Sequence, residues 1–132
     1  PNAILKINDF TAEIMFGDDA PEGLDVKREH AIKTANKLRN KLNKTIFITR
    51  GKNGCILVDE GEIKEIPSIK TTGKIDTVGA GDSMLAGICI GLASGQDAYN
   101  SACLGTLAAA VTIQKLFQTG TVTPKELLVI AN

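Results

Sequence analysis

Residues 82–94, Asp-Ser-Met-Leu-Ala-Gly-Ile-Cys-Ile-Gly-Leu-Ala-Ser, carry a charge only at the first position and are otherwise small and mostly apolar. A solvated helix would show a charged face at helical spacing. This run instead reads as a helix buried on most sides, and it is too short to cross a bilayer. It needs other layers around it, and the preceding residues supply them. Thr45-Ile46-Phe47-Ile48-Thr49 is β-branched and apolar, as in a central strand. Residues 3–7 read as a short buried strand. Residues 55–58 and 62–66 read as two more, joined by Asp59-Glu60-Gly61 as a hairpin turn. Asn8-Asp9 can cap a short helix that runs to Phe16 and ends at Gly17. Asp25 can cap a longer helix to Leu42, with Val26, Ile32, Ala35, Leu38 and Leu42 as its apolar stripe. Gly95 stops the 82–94 helix, and Asp97 starts another that reaches about Leu116. The Ala108-Ala109-Ala110 run of that helix permits close helix–helix approach. Thr123-Pro124-Lys125-Glu126 combines an N-cap, a first-turn proline and a capping-box Glu, so a last helix is expected there. This order implies α/β layers around a mixed sheet.

The chain has 132 residues, enough for one domain with a real core. Lys plus Arg and Asp plus Glu are equal at 15 each, so no global field attracts nucleic acid or an anionic membrane. Any bound anion must be held by local geometry. Neither a spanning segment nor a signal-peptide pattern is present. Cys55, Cys89 and Cys103 form no metal spacing and lie among apolar residues, which reads as buried free thiols in a reducing cytoplasm. The sole histidine, His30, lies in a charged run and is expected on a helix surface, so zinc or nucleophile–histidine chemistry is hard to build. Pro1-Asn2 leads straight into a strand, so the chain is expected to be cut from something longer.

The densest chemical signal is Asp76-Thr77-Val78-Gly79-Ala80-Gly81-Asp82. Two glycines flank one small residue just before a helix. Backbone N–H groups there can turn toward an anion with no Cβ in the way, and the helix adds its positive N-terminal end. Asp82 can cap the helix, or it can accept a proton from a hydroxyl nucleophile. On the residues alone both readings stand. The run is not a Walker loop, because no Gly-Lys-Ser/Thr follows. It is a poor Rossmann fingerprint, because bulky Met84 stands at the third glycine position.

Asp76–Asp82 resembles the DTxGAGD signature of the PfkB/ribokinase family of carbohydrate kinases, and Ser83 through Gly91 continue like that family's helix. The resemblance implies a ribokinase-like three-layer α/β/α sandwich, of which this chain is the nucleotide-binding, catalytic C-terminal part. It also implies that Gly79, Ala80 and Gly81 are an anion hole and Asp82 the general base. Thr77 is carried over as a nucleotide contact. Asp76 is either a holder of a monovalent cation such as K+ or a plain loop acceptor.

Three further stretches extend the resemblance. Ile48-Thr49-Arg50-Gly51-Lys52-Asn53-Gly54 is similar to the family's strand and TxGxxG turn. This implies nucleotide contact by Thr49, Gly51 and Gly54, with Arg50 and Lys52 either paired with phosphate or solvated. Asn8 matches the Asn of the family's Asn-x-x-Glu, which organises Mg2+ and water. Thr11 stands at the Glu position, with Glu13 two residues on, and Glu13 reads either as the replacement metal ligand or as a surface residue. Residues 108–114, with Thr119-Gly120-Thr121 downstream, resemble the helix that backs the adenine and the loop after it. Thr106 and Ala109 are then expected at the base.

The activity implied is ATP- and Mg2+-dependent phosphorylation of a hydroxyl on a sugar or sugar-like molecule. ATP is expected between the Thr49–Gly54 turn and the helix carrying Ala108, its phosphates toward Gly79–Gly81. The N-terminal sugar-gripping residues and the β lid, through which such kinases can pair as homodimers, are missing from the sequence. The fragment alone is therefore expected to be nearly inactive. The alternative is a non-catalytic or regulatory nucleotide-binding module.

Overall fold

The computed structural model describes residues 3–18, 26–69, 79–114, 124, 125 and 128. The chain divides into two compact units, one ending at Pro67 and the other beginning at Ser68.

The first unit is a sheet with helices. Its elements are β1 (Ile4–Asn8), α1 (Asp9–Phe16), α2 (Arg28–Leu42), β2 (Thr45–Thr49), β3 (Cys55–Asp59) and β4 (Glu62–Ile66). The sheet order is β1-β2-β3-β4. β1 and β2 are parallel, as the α1–α2 crossover requires. The other two pairs are antiparallel, so the sheet is mixed as expected. The β3–β4 turn puts Glu60 at φ 47° and Gly61 at φ 81°. Two successive positive φ angles are the mark of a type I′ hairpin, whose twist matches the strands it joins.

Alternation along β2 and β3 divides the core. Ile46, Ile48, Ile56 and Val58 point to the face that packs against Ala31, Ala35 and Leu38 of α2 and Ala12 of α1. Phe47, Cys55 and Leu57 point to the opposite face and are no more than 2% exposed. Each large side chain so buried is worth about 1.5–3 kcal/mol. By contrast, Arg28 of α2 grips Glu65 of β4 with Nε and Nη2 at 2.7 and 3.0 Å. Those hydrogen bonds hold the Glu65 carboxyl below its usual pKa range. Both side chains are largely exposed, where such a pair contributes only ~0–1 kcal/mol. Packing therefore places α2, and the ion pair adds little to it.

The second unit contains α3 (Ala80–Ala93) and α4 (Ala98–Ile113). α3 ends in a Schellman arrangement. Gly95 sits at φ 88°, its N–H donates to Leu92 O at 3.1 Å, and the Gln96 N–H donates to Gly91 O at 3.0 Å. Asp97 caps α4 by accepting from Asn100 N–H at 2.7 Å. The helices run antiparallel with their backbones nearly touching. A Cβ on Gly87 would lie 2.7 Å from Gly105 Cα, and one on Gly91 would lie 2.6 Å from Ser101 Oγ.

The structure corrects several expectations. β1 is half-buried rather than buried, lying at one end of the sheet among the described residues. α2 starts at Arg28, with Lys27 as an N-cap that makes no side-chain bond; Asp25 lies outside the described residues. Its buried stripe is Ala31, Thr34, Ala35 and Leu38. Leu42, the last helical residue, is 41% exposed. α3 buries one side, Ser83, Met84, Gly87, Ile88 and Gly91, and not most of its circumference. Its other side leaves Leu85 39% and Ile90 60% exposed, and no contact among the described residues explains that apolar face. Only Cys55 is a fully buried thiol. Cys89 is exposed, and Cys103 is half-buried, with burial pushing its pKa up. Pro124 and Lys125 are helical, but the cap expected from Thr123 and Glu126 lies outside the described residues.

Candidate active site

The turn into α3 follows from one backbone angle. Gly79 has φ 82° and ψ −4°, the left-handed region that a side chain disfavours. That conformation lets Gly79 O accept from Ser83 N–H at 3.0 Å, closing the first helical turn. The N–H groups of Ala80, Gly81 and Asp82 then have no intrahelical acceptor. Among the described residues no side chain caps them. Open donors at the positive end of a helix dipole suit an anion such as a phosphoryl group.

Asp82 lies in this first turn and is exposed. The next two residues, Ser83 and Met84, are buried, so helical rotation turns Asp82 and Gly81 away from the buried side. The capping role open to Asp82 is not taken up. Gly79 occupies the N-cap position, and among the described residues no donor reaches the Asp82 carboxylate. Asp76 and Thr77 lie outside the described residues.

Thr106 and Ala109 share one face of α4 and are both half-buried, while Ala108 is 5% exposed. The Thr106 hydroxyl donates to Ala102 O at 2.8 Å, which leaves it only acceptor capacity toward a ligand. The expected loop at Thr119–Thr121 lies outside the described residues.

In the first unit, the sheet register aligns Asn8 with Thr49 and Thr49 with Cys55. Asn8 and Thr49 therefore sit side by side at the carboxyl ends of two parallel strands, the usual ligand edge of an open α/β sheet. After Thr49 the chain makes a 3₁₀ turn, Gly51–Asn53, closed by Arg50 N–H to Gly54 O at 2.7 Å and Gly54 N–H to Gly51 O at 3.1 Å. Gly54 has φ 88° and ψ −144°, a conformation essentially restricted to glycine, and Gly51 is exposed. The readings of Arg50 as solvated or on phosphate need correction. Its side chain is 8% exposed, lies 3.9 Å from the Asp9 carboxylate and donates from Nη2 to Val26 O at 3.3 Å. Arg50 braces the turn from within, and Lys52 is exposed.

Asn8 and Glu13 are not brought together. The Asn8 side-chain oxygen accepts from Thr11 N–H at 2.7 Å, capping α1. Five residues along a helix is a rotation of about 140°, so the two side chains leave α1 in different directions. The reading of Glu13 as a surface residue is also corrected, since it is 4% exposed. Its Oε2 accepts from the Thr34 hydroxyl of α2 at 2.7 Å, and its Oε1 lies 3.9 Å from His30 Nδ1. Thr34 went unmarked in the sequence. The signal was its place in the buried arc of α2, facing a carboxylate 21 residues away. Among the described residues no group of three or more His, Cys, Asp or Glu is placed to hold a metal ion.

Comparison with known proteins agrees with this geometry at the level of fold and family. Ribokinase from Thermotoga maritima superposes with a TM-score of 0.80 at 23% identity, over 97% of this chain and 41% of that one. Arabidopsis thaliana ribokinase, solved with ribose and ATP, gives 0.82 at 21% identity over 96% of this chain and 40% of that one. These likenesses establish the ribokinase-like α/β fold. Fructoselysine 6-kinase of Escherichia coli is 39% identical over 71 residues, 53% of this chain and 26% of that enzyme. The chain thus spans about a quarter of that relative and about two fifths of the solved kinases. With the model of the pfkB family of carbohydrate kinases matching residues 3–125, nearly the whole sequence, the chain belongs to that family.

Proposed function

We propose that the chain carries the phosphoryl-transfer centre of an ATP-dependent kinase acting on a hydroxyl of a sugar or sugar-like molecule. Asp82 is its general base and Gly79-Ala80-Gly81 its anion hole. The observation that carries this reading is the start of α3: three N–H donors that meet no capping side chain among the described residues, and an exposed carboxylate in the same turn. A carboxylate beside an anion nest repels the phosphate that the nest attracts. Such a placement makes sense where the carboxylate takes up a proton during the reaction, as a base does when a hydroxyl attacks the phosphoryl group. A regulatory module that only binds nucleotide gains nothing from Asp82 at this position.

The turn at Thr49, Gly51 and Gly54 is the proposed phosphate and ribose contact, and Thr106 and Ala109 are proposed to back the adenine. The ribokinase solved with ATP and ribose supports nucleotide and sugar as the ligand classes. Mg2+ would arrive with the nucleotide phosphates and offset their charge. Asp76 remains the proposed seat of a monovalent cation. No helix among the described residues is long and apolar enough to cross a membrane.

The test is Gly81→Val in the full-length protein that carries this chain. A side chain beside the open donors should lower ATP-dependent turnover by roughly 10²-fold, the usual loss when a positioned oxyanion donor is spoiled. The second helical position tolerates Val at small cost, so the fold should survive. Unchanged turnover would count against the anion hole.

A further inference from the structure

Where α3 and α4 meet, the surfaces are small and nearly featureless. Gly87 lies against Gly105, Gly91 against Ser101, and a Cβ on Gly105 would sit 2.7 Å from Met84 O. Such surfaces allow close approach, yet they offer few knobs to stop one helix sliding or turning on the other. A directional contact interrupts them. The Thr112 and Ser83 hydroxyl oxygens are 2.6 Å apart, across 29 residues of sequence, and both side chains are buried. Thr112 Oγ1 is also 3.0 Å from Ala108 O, one turn back on its own helix. A hydroxyl has one proton and two acceptor sites, so Thr112 can serve both contacts by donating to one and accepting at the other. In a water-excluded interface such a bond is strengthened, and its loss removes the directional tie between the two helices.

The place of this contact gives it consequence. Ser83 directly follows Asp82 and closes the first turn through its own N–H to Gly79 O. Whatever fixes Ser83 fixes the three open donors and the carboxylate beside them.

We infer that the Ser83–Thr112 hydroxyl pair is a positioning device: it pins the rotation and register of the α3 N-terminus on α4, and so holds Asp82 and the Gly79–Gly81 turn in catalytic alignment. The inference rests on the proposed function, because alignment matters only if that turn carries the chemistry. Displacement of a catalytic group by about 1 Å can cost roughly 10²-fold in rate.

The experiment compares Thr112→Val, Thr112→Ser and Ser83→Ala with wild type in the full-length protein, with Asp82→Asn as a control. kcat, the KM for ATP and the unfolding midpoint are measured for each. Thr112→Val should lower kcat by about 10-fold or more while the KM for ATP stays within about 3-fold, since a transition-state alignment is lost and ground-state binding is not. Thr112→Ser restores the hydroxyl and should recover kcat to within about 3-fold. The Ser83→Ala, Thr112→Val double variant should be no slower than the worse single, because both remove one contact. Should Thr112→Val not fold, Ser83→Ala, which leaves no bulk misfit, gives the same reading. If Asp82→Asn is inactive while Thr112→Val and Ser83→Ala turn over within about 3-fold of wild type, the pin is overturned and the function stands. If Asp82→Asn is fully active, both fall. Failure of Thr112→Ser to rescue would mark Thr112 as a packing residue only.

Discussion

Glu13 shows how much one side chain depends on its partners. It lies on a short helix where a carboxylate would ordinarily meet water, and instead it is 4% exposed with the Thr34 hydroxyl at 2.7 Å. The pair ties α1 to α2 and leaves no room beside it: a Cβ on Gly17 would lie 2.6 Å from the Glu13 carboxylate. Thr34→Val keeps the shape and removes the donor, leaving the buried carboxylate short of a hydrogen bond. It should cost about 1–3 kcal/mol in denaturant unfolding, with Thr34→Ser recovering most of it. A Thr34→Val loss below about 0.5 kcal/mol would mean that water or His30 serves the carboxylate just as well. Nothing local in the sequence reveals this contact, because burial of Glu13 is decided by a helix 21 residues away. The same holds for Arg50. A basic residue after a strand reads as a phosphate ligand or a solvated charge, and only the fold discloses that it turns inward to the Val26 carbonyl. The conformations of Gly79 and Gly54, by contrast, are legible at once, because a glycine before a helix or after a tight turn announces a backbone that other residues avoid.

Elements were more legible than residues. β2 falls where its β-branched apolar run places it, β4 follows the hairpin turn at Asp59-Glu60-Gly61, and α4 begins where Asp97 can cap it. Periodicity and caps are local properties, so local reasoning finds them. The start of α2 was missed because Asp25 looked like a cap, yet the helix begins at Arg28 behind Lys27, which offers none. α3 was misjudged in burial because composition says how apolar a helix is and not which neighbours the chain provides. What composition does mark is the spacing of its glycines, four residues apart at Gly87 and Gly91, facing Gly105 and Ser101 of α4. A Gly→Ala change inside a helix ordinarily gains roughly 0.5–1 kcal/mol. At Gly87 the new methyl would meet Gly105 Cα at 2.7 Å, and backbone cannot step aside cheaply. Overpacking costs about 1–3 kcal/mol, so it outweighs the propensity gain, and Gly87→Ala should destabilise the chain in chemical denaturation. A stabilised Gly87→Ala variant would show that the helices separate freely.

At the scale of the molecule, the chain holds the ribokinase-like fold over nearly all its length while matching about two fifths of each solved kinase. The family follows from residues 3–125. The reaction is proposed from a single helix start, and that is where it can be tested. Phosphoryl transfer draws most of its rate from positioning and from water exclusion, so turnover is best measured in the full-length protein that carries this chain. Asp82→Asn is the direct probe. Asn removes the charge and the proton acceptor while keeping the size, and with no capping bond at stake the unfolding midpoint should not move. ATP should bind at least as tightly, because a negative charge beside the phosphates has gone. Turnover should fall by roughly 10²–10⁴-fold, the worth of a positioned general base, and the loss should appear in kcat. A folded Asp82→Asn protein that binds ATP and turns over within a few-fold of wild type would contradict the account.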